Sequence, residues 1–202
     1  SSDLCTQNGV RGGSATVHFP IWHQEIEDII VLKNNKGSED NRVRKLDYSI
    51  QLSKLFYERF IKNEDITLFS PHEVPELYDA WGSDSFDELY EKAERKLSVS
   101  KTKINAQELF FDILKERAET GRIYIMNIDH CNSHSSFKDK VTMSNLCQEI
   151  TLPTDPIQHI DGTGEIALCI LSAINVGKIN YVEELEPLCD LAVRALDEII
   201  DH

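Results

Sequence analysis

The chain has 202 residues, 41% hydrophobic and 28% charged, an ordinary composition for a folded domain and long enough for one sizeable core. Asp and Glu total 35 against 21 Lys and Arg, and the formal charge of −14 argues against a nucleic-acid polymer as partner, since that footprint is basic. A small anion held by a few local cations stays open.

No run of about 18 apolar residues is present to cross a membrane, and the N-terminal SSDLCTQNGV lacks the basic and apolar regions of a signal peptide. The five cysteines, Cys5, Cys131, Cys147, Cys169 and Cys189, are an odd number without a CxxC pair, which fits a reducing cytoplasm better than a secreted disulfide framework. The sequence opens without methionine and stops within the helical pattern ALDEIIDH, so we expect part of a larger protein.

Cys5 to Ala15, CTQNGVRGGSA, reads as a glycine-rich loop. TVHFPIWHQEIEDIIVLKNN reads as a short extended piece followed by a helix, and NRVRKLDYSIQLSKLFYERFIKN begins extended and becomes helical at Ile50, Leu52, Leu55, Phe56 and Phe60. DITLFSP has strand character. Residues 72–100 are acidic and weakly periodic, which predicts a surface helix with loops.

INAQELFFDILKERAETG is the clearest helix, with Leu109, Phe110, Ile113 and Leu114 in a 3.6-residue rhythm and Gly121 at its stop. RIYIMNID follows at once and is apolar on both faces, as is the later IALCILSAINVG; both read as strands covered on two sides. Helix running into buried strand predicts an α/β fold with parallel strands. HCNSHSSFKDK reads as a polar loop, and EELEPLCDLAVRALDEII as an amphipathic helix. No internal repeat or low-complexity linker is evident.

The segment SNLCQEI sets Asn145, Cys147 and Glu149 two residues apart in an otherwise apolar run. In an extended segment all three would face one side, whereas a helix would throw the middle one away, so the spacing favours an extended segment or a loop. A cysteine between Leu146 and Gln148, taken alone, is a buried small hydrophobe. The flanking amide and carboxylate suit a sugar instead: the amide hydrogen-bonds a hydroxyl and the carboxylate accepts its proton. An acidic neighbour works against a thiolate nucleophile, so a neutral thiol in hydrogen-atom chemistry fits better.

Elsewhere the plainer readings stand. His130 and His134 in HCNSH are four apart, but zinc wants four ligands and no second Cys/His pair of suitable spacing follows, so no metal site is expected. Arg42, Arg44 and Lys45 fit two readings equally, a face toward a phosphate or the solvated face of an alternating strand, while Cys131 reads as a loop thiol and Cys189 as a helix-face residue.

SNLCQEITLPT, with TGRIYIMNIDHCNSHSSF, GEIALCILSAINVG, NRVRKLDY, ITLFSPHEVPELYDA and GVRGGSATVHFPIWH, closely resembles the large, catalytic subunit of class I ribonucleotide reductase of the aerobic bacterial and phage type. The resemblance covers essentially the whole chain. It implies an α/β fold, part of a ten-stranded barrel with parallel strands, surrounding helices and a finger loop at 143–151, so that residues 1–202 are a partial catalytic barrel domain.

The resemblance further implies that Cys147 carries a transient thiyl radical that abstracts the ribose 3′ hydrogen, that Glu149 takes the 3′ hydroxyl proton, and that Asn145 holds that hydroxyl. Leu146 and Gln148 would line the substrate beside them. Cys169, which alone reads as a core residue, would be half of the reducing dithiol, its partner lying upstream of residue 1. Gln7 and Arg11, in the specificity-loop region 1–15, would contact the substrate or relay the identity of an effector nucleotide.

No cofactor would bind directly: the radical comes from the metal cofactor of the small subunit, and ATP or deoxynucleotides act as effectors of the full-length protein. Expected partners are the small subunit, the remaining portions of the large subunit, a second large subunit, and thioredoxin or glutaredoxin, with neither membrane nor nucleic-acid polymer, in the cytoplasm of a bacterium or phage-infected cell. The chain alone is expected to be inactive and poorly stable, because an incomplete barrel leaves strand edges unpaired. Two alternatives stay open, a noncatalytic nucleotide-binding fragment and another radical enzyme of the same barrel class.

Overall fold

The computed structural model describes residues 9–10, 12–157, 162, 164–167 and 169–201, in two compact units, 1–165 and 166–202. The first unit runs β1 (Thr16–Pro20), α1 (Ile26–Ile30), β2 (Asp47–Leu52), α2 (Lys54–Lys62), β3 (Asp65–Phe69), α3 (Pro75–Ala80), α4 (Phe86–Arg95), β4 (Lys101–Asn105), α5 (Ala106–Thr120), β5 (Ile123–Asn127) and α6 (Ile128–Ser133). The second holds α7 (Leu185–Ile200) and short 3-10 turns at Val176–Lys178 and Val182–Glu184.

Strands β1, β2 and β5 form a parallel sheet in the order β1-β2-β5, with His18, Ser49 and Tyr124 in one row of its register. The α/β architecture with parallel strands agrees with the expectation. The described residues supply three strands to this sheet, which is open rather than closed into a barrel. Strands β3 and β4 form a separate antiparallel pair, tied to the end of β1 by hydrogen bonds from Phe69 N to Trp22 O (2.9 Å) and from Gln24 N to Phe69 O (2.8 Å).

Because side chains alternate along a strand, the parallel sheet has two unlike faces. One presents Phe19, Tyr48, Ile50, Leu52 and Ile123 to the hydrophobic core. The other presents Thr16, His18, Ser49 and Gln51, and this polar face carries the site described below.

The helices start and stop where local chemistry dictates. Ser53 caps α2 by accepting from Phe56 N, and the left-handed Asn63 ends it. Asn105 caps α5 by accepting from Gln107 N and Glu108 N, and Gly121, at φ +66°, closes it with an N–H bonded to Arg117 O. Strand β5 then begins two residues later, as predicted.

Four expectations need correction. Residues 72–100 hold two helices rather than one on the surface, and α4 buries Phe86, Tyr90 and Ala93, spaced i, i+4, i+7, beneath an acidic outer face. Phe86 and Tyr90 join Trp22 and Trp81 in an aromatic cluster, with Trp81 and Phe86 centroids 4.6 Å apart. The start of HCNSHSSFKDK is helical, so Cys131 lies on α6, half-buried against the core.

Residues 42–46 form no strand: Arg42 donates to Lys36 O and Arg44 to Asn34 O and Gly37 O, which clamps the preceding loop. Finally, the described residues of IALCILSAINVG up to Asn175 are irregular and Leu171 is 81% exposed; a doubly covered strand needs a sheet to pair in and layers on both faces, and the described residues of the second unit hold no strand. The C-terminal helix forms as predicted, with Cys189 exposed upon it.

A charged cluster braces the core between α2, β3 and α4. Arg59 makes a bidentate pair with Glu94 at 2.6 and 2.7 Å, Glu94 also accepts from Thr67 Oγ1 at 2.6 Å, and Tyr90 donates to Thr67 O while accepting from Thr67 N. Burial pushes the Glu94 carboxyl up, but the hydrogen bonds from Arg59 and Thr67 outweigh it and hold the group below the usual carboxylate range.

Candidate active site

Between Val141 and Ile150 the chain crosses the polar face of the parallel sheet and turns back at Asn145–Gln148, where Gln148 N donates to Asn145 O at 3.2 Å. Gln148 takes a left-handed backbone conformation, φ +61°. The segment is therefore a loop with a tight turn, not an extended strand, and any common direction of Asn145, Cys147 and Glu149 does not come from strand alternation.

The turn is held from inside by Asn145. Its half-buried Oδ1 accepts from Glu149 N at 3.0 Å and Ile150 N at 3.1 Å, and Ser144 Oγ donates to it at 3.2 Å. Its amide Nδ2 makes no such contact among the described residues, so its donor capacity is not used there. Asn145 and Glu149 are thus brought together through the backbone, with Cys147 between them, its thiol exposed at the turn. Glu149 is likewise exposed.

From beneath, the sheet grips the same loop at four points. Thr16 Oγ1 donates to Leu146 O at 2.6 Å, and Gln51 Nε2 donates to Thr142 O at 2.7 Å. Ser49 Oγ donates to Gln148 Oε1 at 2.5 Å, and Gln148 Nε2 donates to Ile125 O at 2.8 Å. Gln51 Oε1 in turn accepts from Trp81 Nε1 at 2.7 Å, so this carboxamide links the loop to the aromatic cluster.

His18 lies in the same row. Burial depresses its pKa, against smaller opposing effects of the Ser144 and Asn145 backbone. Neither ring nitrogen has a partner of hydrogen-bond geometry among the described residues, so the ring sits as a neutral, desolvated group under the turn.

The anchors Thr16, Ser49 and Gln51, and His18 beside them, were not singled out by sequence reasoning. The available signal was the pair of polar residues at alternate positions of DYSIQL, a strand otherwise buried on both faces.

Of the other predicted site residues, Cys169 is exposed in the second unit. Gln7 and Arg11 lie outside the described residues. His130 and His134 stack edge to face, ring centroids 5.8 Å apart, at the C-terminal end of α6.

A family model described as the ribonucleotide reductase barrel domain matches residues 1–202. Among curated relatives, the ribonucleoside-diphosphate reductase subunit alpha of Haemophilus influenzae is 57% identical over 98% of this chain and 27% of its own length. The Escherichia coli ribonucleoside-diphosphate reductase 1 subunit alpha is 55% identical over 76% of this chain and 21% of its own. The subunit alpha of Enterobacteria phage T4 is 46% identical over 98% and 27%. The chain spans about a quarter of the length of the relatives it matches over nearly its full extent.

Proposed function

The chain belongs to the ribonucleotide reductase barrel-domain family, and on that premise we propose that it is the central part of a reductase alpha subunit that converts ribonucleoside diphosphates to 2′-deoxyribonucleoside diphosphates. In this reading Cys147, as a thiyl radical, takes the 3′ hydrogen of the ribose. Glu149 accepts the 3′ hydroxyl proton, while Asn145 donates through Nδ2 to the same hydroxyl. The 2′ hydroxyl leaves as water, and two electrons come from a dithiol, of which Cys169 is one half, as it becomes a disulfide.

The observation that carries the site-level reading is the exposed Cys147 on a turn that Asn145 pins on its inner side. The residue is exposed, and the backbone on either side of it is tied by hydrogen bonds at Leu146 O and Glu149 N. Proximity of this kind does much of the catalytic work in a reaction with a bound sugar.

The small subunit supplies the radical, a second alpha subunit completes the dimer, and thioredoxin or glutaredoxin re-reduces the disulfide. Gln7 and Arg11 would take part in effector control, with ATP and deoxynucleotides as effectors. The reaction belongs to the bacterial or phage-infected cytoplasm; no helix among the described residues is long and apolar enough to cross a membrane.

The test is Cys147→Ser in the full-length alpha subunit, assayed with the small subunit for deoxynucleotide formation. Complete loss of product with the fold retained is expected. Residual reduction above background would refute the assignment.

A further inference from the structure

We infer that Ser49 and Gln148 form a positioning pair that fixes the orientation of the Cys147 turn from the barrel side. This rests on the role proposed for Cys147. It differs from the expectation that Gln148 lines the substrate, because both ends of its carboxamide are already engaged by the sheet.

Three features converge. Gln148 immediately follows Cys147 and holds a left-handed backbone, φ +61°, which side chains other than glycine rarely adopt without support from their surroundings. That support is directional: Oε1 accepts from Ser49 Oγ on β2, and Nε2 donates to Ile125 O on β5. The amide therefore bridges two neighbouring strands with its acceptor and donor each matched to the opposite group. Lastly, Ser49 is fully buried, in the middle row of the sheet, and reaches the turn through this contact.

The consequence for Cys147 is geometric. A turn carrying an exposed thiol has few contacts of its own, and its orientation is set by what its neighbours grip. Thr16 holds the carbonyl before the cysteine, and Ser49 with the Ile125 carbonyl holds Gln148, the residue after it. Releasing the second grip lets the sulfur swing about the first, which lowers the fraction of complexes with the sulfur aimed at the reacting hydrogen while leaving binding of the rest of the nucleotide in place.

The experiment uses the full-length alpha subunit with its small subunit and compares Ser49→Ala, Gln148→Leu, the double variant, and Cys147→Ser. Expected are a roughly tenfold lower kcat for Ser49→Ala with KM within about twofold, and a double variant no slower than the slower single one, since either single substitution already breaks the Ser49–Gln148 bond and the second has none left to break. Gln148→Glu, which sets a carboxylate against the Ile125 carbonyl, should lose at least as much as Gln148→Leu. It is read in place of Ser49→Ala if the latter fails to melt cooperatively.

An unchanged kcat in Ser49→Ala, a raised KM at unchanged kcat, or independent multiplication of the two single effects would overturn the inference. Turnover by Cys147→Ser would instead overturn the reading of Cys147 itself, so the two failures are told apart.

Discussion

The hydroxyl of Thr16 donates to the carbonyl of Leu146, 130 residues further along the chain, at 2.6 Å. The bond fixes the residue before Cys147 to the first strand of the parallel sheet. Thr16→Val keeps the shape and removes the donor, and a neutral hydrogen bond contributes about 0.5–1.5 kcal/mol. Steady-state assays of the full-length subunit should show a kcat lower by roughly threefold to tenfold. No change in rate would mean the turn is held well enough without it.

His18 gives the loop a dependence on acidity. Its pKa in the fold is lowered by burial from the ordinary 6.5, so above about 6.5 the ring is neutral in both folded and unfolded states and costs nothing. As pH falls below that value, the unfolded chain takes up a proton that the fold resists, and stability declines until the folded pKa is passed. His18→Leu should narrow the gap in melting temperature between pH 7.5 and 5.5 relative to the parent. An identical gap in the two proteins would exclude His18 as a source.

The Arg59–Glu94 pair is little exposed, 12% and 19% at the side chains. Removing one partner leaves the other charge without its match, and Arg59→Met should destabilise by about 2–4 kcal/mol. Because the Glu94 pKa is lowered in the fold, its contribution is present above the ordinary carboxylate range and is lost as pH falls through the folded value. Urea denaturation at pH 7 and pH 4 should therefore show a smaller difference between Arg59→Met and parent at the lower pH. A constant difference would argue that the loss is one of packing.

Gly82 has φ +76°, and a Cβ there would lie 2.7 Å from Asn132 Nδ2 and 2.8 Å from Ile128 Cγ1. Asn132 itself bonds Val141 on both sides, accepting from its N–H at 2.9 Å and donating to its carbonyl at 3.0 Å, where the loop departs. Gly82→Ala should cost about 1–3 kcal/mol, from backbone strain and displacement of that amide. A thermal melt within about a degree of the parent would show that α6 yields freely.

Legibility from sequence divided along the range of the interactions. Helix α5 and strand β5 were readable because the signals are local: a 3.6-residue rhythm, a glycine at the stop, and an apolar run straight after it. Strand β4, KTKIN, was missed because its alternation is largely of charged residues and its partner is β3, reached across two helices. Helix α4 was underestimated because three core residues were outnumbered by charge.

At the site, Asn145, Cys147 and Glu149 were visible as an unusual polar set. The turn they sit on, and its anchors on Thr16, Ser49 and Gln51, depend on contacts between 91 and 130 residues apart. No window of sequence contains both ends of such a contact.

Gln51 is 3% exposed and serves Trp81, Thr142 and Met126 at once. The stem of the Cys147 turn and the indole it shares this amide with are consequently tied through one side chain. Warming that disorders the aromatic packing should release the Cys147 turn in the same event, so on the proposed role of Cys147 tryptophan fluorescence and residual turnover of the full-length subunit should decay along a single curve.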